Sequence, residues 1–229
     1  MNARPSNRGF TLIELMTVIA IILVLTGLIV GLYGYVQNKG AATRCRGEIA
    51  MLRAAAISYQ VEYGSFPQSA ETDKLKPTAN FDPTAQVYID ANLHLYRELT
   101  GDREPKAKPD YQYTTAEEKE AIRFLKEFEV RILNAKKDDS TKAITEVRYI
   151  QDPWGLPYGY STSAIAWEQS YQKDVRAGKL AGARKTGDAL GGFNTSEFDL
   201  WSTGGNKPAV PPSAGKLRDL EWAKWIKSW

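Results

Sequence analysis

The chain contains one cysteine, Cys45, and one histidine, His94, in 229 residues. A lone cysteine excludes an internal disulfide, and one residue of each kind excludes a zinc site of ordinary Cys–His ligand count. A Ser-His-Asp set is not excluded by arithmetic, yet no nucleophile motif surrounds any serine. His94, set between Leu93 and Leu95 on a predicted helix, reads as a surface or packed residue. A Walker loop and a dinucleotide glycine fingerprint are both missing. Thirty basic against 27 acidic residues leave a net charge of +3, too small a field to attract nucleic acid. There is no internal repeat. These absences argue against an enzyme and against a nucleic-acid partner.

Charge is also missing locally. From Leu15 through Asn38 there are 24 residues without a charged side chain, most of them Ile, Leu, Val, Ala or Met. As a helix this run reaches roughly 36 Å, enough to cross a hydrocarbon core of about 30 Å. An ordinary secretory signal has a shorter apolar region closed by a small-residue cleavage site, and nothing like Ala-x-Ala closes this one. The plausible cut lies before the run, at Gly9-Phe10, so the hydrophobic helix would stay on the mature chain. A simple signal anchor is the plain alternative. Arg4 and Arg8 precede the run while Lys39, Arg44 and Arg46 follow it, so counting positive charges does not orient the span. Gly27 and Gly31 have the GxxxG spacing that permits close helix approach in lipid, although chance accounts for it equally well. A single carboxylate, Glu14, stands at the leading edge. A charge of that kind costs roughly 2.5–3.5 kcal/mol at a helix centre and ordinarily has a partner.

The segment Gly9-Phe10-Thr11-Leu12-Ile13-Glu14, followed by the apolar run, resembles the processing site of type IV prepilins and type II secretion pseudopilins. The resemblance implies cleavage after Gly9 by a prepilin peptidase on the cytoplasmic side and N-methylation of Phe10. It implies storage in the bacterial inner membrane as a single-pass protein, with the N-terminus cytoplasmic and the C-terminal domain periplasmic. Cleavage would create an α-amino group on Phe10 with an ordinary pKa of about 7.7–8.0. In pilin-like filaments the resemblance implies that Glu14 meets the Phe10 amine of a neighbouring subunit. The alternative places Glu14 among lipid headgroups without an assembly role. Family members commonly carry a proline near Gly31, which this chain lacks.

Past Asn38 the helical pattern continues through Ala41, Ala42, Cys45, Ile49, Leu52, Ala55, Ala56 and Tyr59, with Arg44, Arg46, Glu48 and Arg53 largely between them. One long helix is therefore predicted, apolar all round in its first half and striped in its second, ending near Gly64. A buried thiol is the default for Cys45 on that stripe. Pro67, Pro77 and Pro83 punctuate a polar loop. Gln86 to Leu99 has helical spacing, with Gly101 as its stop. Thr115-Ala116-Glu117-Glu118 reads as a capping box before a second amphipathic helix through Ile122, Leu125, Phe128, Ile132 and Leu133.

The C-terminal third reads as β. Val147, Tyr149 and Ile150 lead into the turn Asp152-Pro153-Trp154-Gly155, and Tyr158 and Tyr160 alternate as a strand should. Lys173 to Gly192 reads as a mobile glycine-rich loop. A later strand, Phe198 to Ser202, runs into Thr203-Gly204-Gly205-Asn206. Trp222, Trp225 and Trp229 fit one face of a short terminal helix. The Asp-Pro-Trp-Gly turn and the Gly-rich loop after a strand resemble the β-region of type II secretion major pseudopilins. Those commonly hold one calcium ion in the C-terminal loop. Thr203, Asn206 and Asp219 are the only ligands the resemblance nominates here, Lys207 opposes a second cation, and a metal-free loop held by hydrogen bonds is the preferred reading.

The expectation is an α+β, pilin-like chain: a long, protruding N-terminal helix, transmembrane then amphipathic, packed on a small antiparallel sheet with a helical insertion. Its parts are a cleaved leader at 1–9, a transmembrane helix at 10–38, the amphipathic continuation at 39–66, a loop and helical insertion at 67–145, and a β-region at 146–229. The expected role is mechanical, as a subunit of a periplasmic type II secretion pseudopilus that needs no cofactor. Expected partners are copies of itself, other pseudopilins, the prepilin peptidase, the inner-membrane secretion platform and, before assembly, membrane lipid. The near rival is a type IV pilin or minor pilin serving adhesion, motility or DNA uptake. A rival of another class is a single-span protein whose outer domain binds sugar or catalyses a reaction.

Overall fold

The computed structural model describes residues 11–102, 124–125, 132–142, 144–179, 184, 190–206 and 222–228. It divides into two compact units, residues 1–41 and 42–229. Helix α1, Leu12–Tyr63, contributes to both.

In the first unit α1 is apolar on every side, and its large side chains are exposed: Leu12, Ile13, Met16, Ile22, Leu25, Ile29 and Val30 among them. An exposed apolar surface of this extent marks a membrane or protein interaction site. Among the described residues α1 is the one helix long and apolar enough to cross a membrane. The Thr17 hydroxyl donates to the Ile13 and Glu14 carbonyls, at 3.1 and 2.9 Å, so this polar group is satisfied within its own helix, as lipid requires. The helix is continuous through Gly27, Gly31 and Gly34.

In the second unit the later turns of α1 bury Cys45, Ile49, Leu52, Ala55 and Ala56. Gly64 stops the helix with φ +75° and donates its N–H to the Gln60 carbonyl at 2.8 Å, a left-handed cap that favours glycine. A short helix, α2 at Ala70–Lys74, starts with a capping box between Ser69 and Thr72. The predicted helix after Pro83 is α3, Gln86–Thr100, and Gly101 stops it at φ 73°.

Two small antiparallel sheets follow, where one was expected. Strand β1, Leu133–Lys137, pairs with β2, Ile144–Ile150, from Leu133 opposite Ile150 to Lys137 opposite Ile144. Strands β3 (Gly159–Ser161), β4 (Asp199–Ser202) and β5 (Ile226–Lys227) form a second sheet in the order β3-β4-β5. Its register sets Gly159 against Trp201 and Ser202 against Ile226. Gly159 is required here, because any Cβ would enter the Trp201 indole.

Three expectations change. The amphipathic helix predicted through Leu133 does not reach that far: Leu133 opens β1, so strand pairing begins before position 146. Ile132 and Leu133 bury themselves as well from a strand lead-in as from a helix, and short apolar runs do not separate the two. Thr115 to Glu118 lie outside the described residues. The predicted loop from Lys173 begins inside helix α4, Ser163–Arg176. Trp222 and Trp225 fill the core from a single helical turn and from the bend just before β5; Trp229 lies outside the described residues.

One cluster joins the α1 stripe to Leu95 and Leu99 of α3 and to Val147, Ile150, Tyr158, Tyr160, Phe198 and Leu200 of the β-region. A second gathers Leu75, Phe81, Tyr88, Ala91, Trp201, Trp222 and Trp225. In it the Trp201 and Trp225 rings stack 5.6 Å apart at 6°. Fully buried Asn92 links the two sheets. Its amide accepts from Ile150 N–H at 2.6 Å and donates to the Ile150 and Tyr158 carbonyls at 3.1 and 2.8 Å. Backbone groups at the junction are thereby paired without a strand.

Candidate functional site

Of the residues named for processing and assembly, Gly9 and Phe10 lie outside the described residues. Glu14 is in the first turn of α1. Thr11 precedes the helix, and its N–H and hydroxyl both donate to Glu14 Oε2 at 2.8 Å. The Glu14 N–H donates back to the Thr11 hydroxyl oxygen at 3.3 Å. This reciprocal arrangement is a capping box, with Thr11 at the N-cap and Glu14 three residues on. It was legible in Thr11-Leu12-Ile13-Glu14, where the resemblance drew attention to the carboxylate alone. A negative group also suits the positive end of the helix dipole. At this position Glu14 is exposed beside exposed Leu12, Ile13 and Leu15.

Among the described residues, the side chain bonded to this carboxylate at the head of an oily helix is that of Thr11. The chain carries the prokaryotic N-terminal methylation motif, matched over residues 4–30. That motif is the hallmark of type IV pilin and pseudopilin precursors, and the N-terminus of this chain is similar to theirs. It spans the basic leader, Gly9, Phe10, Glu14 and the apolar run through Val30. Neither a curated protein nor a solved structure matches the chain.

The body of the chain holds the other nominated residues. After β4 the backbone turns at Gly204 and Gly205, both at positive φ. Asn206 donates its side-chain N–H to the Thr203 carbonyl at 2.8 Å, and its backbone N–H reaches the same oxygen at 3.2 Å. Calcium needs six to eight oxygens, and here the Thr203 carbonyl is already met by both Asn206 donors. Asp219 lies outside the described residues. Among the described residues no group of three His, Cys, Asp or Glu side chains is placed to hold a metal. Thr203 and Asn206 as arranged do not fit calcium.

The turn Asp152-Pro153-Trp154-Gly155 is organised by its aspartate. Asp152 accepts from Trp154 N–H at 3.0 Å, from Leu156 N–H at 2.9 Å, and from the Ser202 hydroxyl. Burial raises its carboxyl above the ordinary range, and these bonds oppose the rise. Ser202 Oγ in turn accepts Gly204 N–H at 3.0 Å, which ties the turn to the glycine loop.

Cys45 is buried, and burial pushes its thiol up to about 11, so it is inert rather than nucleophilic. The Tyr158 hydroxyl above it donates to Glu48 of α1. Burial lowers the pKa of His94, whose Nε2 meets no hydrogen-bond partner among the described residues. Asp199 was missed by the sequence reading. It is buried in β4 and accepts from Phe193 and Asn194 N–H, at 2.7 and 3.2 Å. Burial pushes its pKa up to about 7. A lone aspartate in a short apolar strand carries no sequence signal for that role.

Proposed function

We propose that this chain is a structural subunit of a type II secretion pseudopilus. It is made as a membrane-inserted prepilin, cleaved after Gly9 by the prepilin peptidase and N-methylated on Phe10. It then polymerises through its N-terminal helix to support protein export. The observation that carries the reading is the apolar first half of α1, exposed on all sides and headed by one carboxylate within the methylation motif. Before assembly lipid covers that surface; in the polymer other copies cover it, and burial is favourable without being directional. Direction and stagger come from Glu14 meeting the Phe10 amine of a neighbour, the one specific charge contact available in an apolar layer.

Support for secretion over adhesion comes from the body. The Asp152-centred turn and the glycine loop after β4 are joined through Ser202, and both resemble major pseudopilin features. The chain would be held in the inner membrane with its body periplasmic, and other pseudopilins and the secretion platform would be its partners.

Mass spectrometry of the native N-terminus tests the reading. A chain beginning at N-methylated Phe10 is expected, and a chain that keeps Met1 and never enters a polymer overturns it. Deleting the gene separates the two filament types: loss of an exported protein is expected, whereas intact export with lost adhesion, motility or DNA uptake would make it a type IV pilin.

A further inference from the structure

The two oxygens of Glu14 are treated differently by the chain. Both Thr11 donors reach Oε2 at 2.8 Å, and among the described residues no donor reaches Oε1. We infer that Thr11 is a positioning residue whose hydroxyl holds the Glu14 side chain so that Oε1 remains presented to an ammonium group on a second copy of the chain. This rests on the filament reading above and extends it to a residue that need not touch the incoming amine.

Three physical reasons support the assignment. A free glutamate samples many rotamers, and ordering it when the ion pair forms would weaken that pair; Thr11 orders it beforehand. A carboxylate in an apolar layer is costly unless its lone pairs are met, and two donors on Oε2 meet part of that demand before any neighbour arrives. A hydroxyl can also accept the Glu14 N–H while donating to Oε2, which a valine of the same shape cannot do.

The test uses the full-length chain expressed with its assembly machinery, comparing Thr11→Val, Thr11→Ser and Glu14→Ala. Mass spectrometry scores cleavage, membrane flotation scores insertion, and site-specific crosslinking scores filament incorporation per cleaved, inserted chain. Thr11→Val keeps the backbone N–H of the cap and is expected to incorporate about tenfold less, the scale of one hydrogen bond to a charged group. Thr11→Ser is expected to incorporate close to the native level, a rescue that a packing role for the β-methyl would not give. Native incorporation of Thr11→Val beside a defective Glu14→Ala would overturn the role of Thr11 alone. Failure of Thr11→Ser to the same degree as Thr11→Val would also overturn it. Native incorporation of Glu14→Ala would remove the filament contact itself, and this inference with it.

Discussion

At the level of single residues, the groups that matter are those whose charge or thiol is constrained by what surrounds them. Glu14→Ala is expected to insert in the membrane normally and to lose crosslinks to neighbouring copies, because the helix survives while the charge contact proposed for it does not. Asp199 gives a pH dependence of known sign. Its native pKa of about 7 lies above the ordinary 3.8, so the folded chain holds that proton more tightly than the unfolded one. The contribution is complete below the unfolded value and is lost as pH rises through the native one. Melting temperature in detergent should therefore fall between about pH 4 and pH 7, and Asp199→Asn should flatten that fall; an unchanged slope would remove Asp199 as its source. Cys45 is fully buried, so a maleimide should label it only after denaturation.

At the level of elements, the stripe on α1 makes the largest expected difference between neighbouring positions. Leu52 is fully buried, and Leu52→Ala should cost about 2–5 kcal/mol in a denaturant titration. Val61 is 82% exposed on the same helix, and Val61→Ala should stay within about 0.5 kcal/mol. These positions, and the ends of α1 and α3, were legible because repeated three- and four-residue spacing and a following glycine act locally. Helix α4 was not, because only Ser163, Ala164 and Ile165 are buried along it, too short a run to show a period. A second local cue was present in Trp167 and Tyr171, four residues apart and stacked at 5.2 Å. Asn92 was invisible for a different reason: its three bonds reach residues 58 and 66 positions away, and nothing near it in the chain announces them.

At the level of the whole molecule, the two units make different demands on solvent. Residues 42–229 form a compact unit, and expressed alone they should remain soluble and monomeric without detergent, as sedimentation would show. The intact chain should require detergent. Adding a calcium chelator should leave its melting temperature unchanged, since Thr203 and Asn206 are bonded to each other; a marked drop would restore Asp219 and its neighbours as ligands. The head of α1 has one more consequence. The N–H that Thr11 gives to Glu14 belongs to the amide linkage between Phe10 and Thr11, one linkage beyond the Gly9–Phe10 bond at which cleavage is proposed. Removing the leader would therefore leave the first turn closed. Maturation would alter the electrical character of the tip and leave its geometry intact, so the subunit released by the peptidase would need no refolding before it docks.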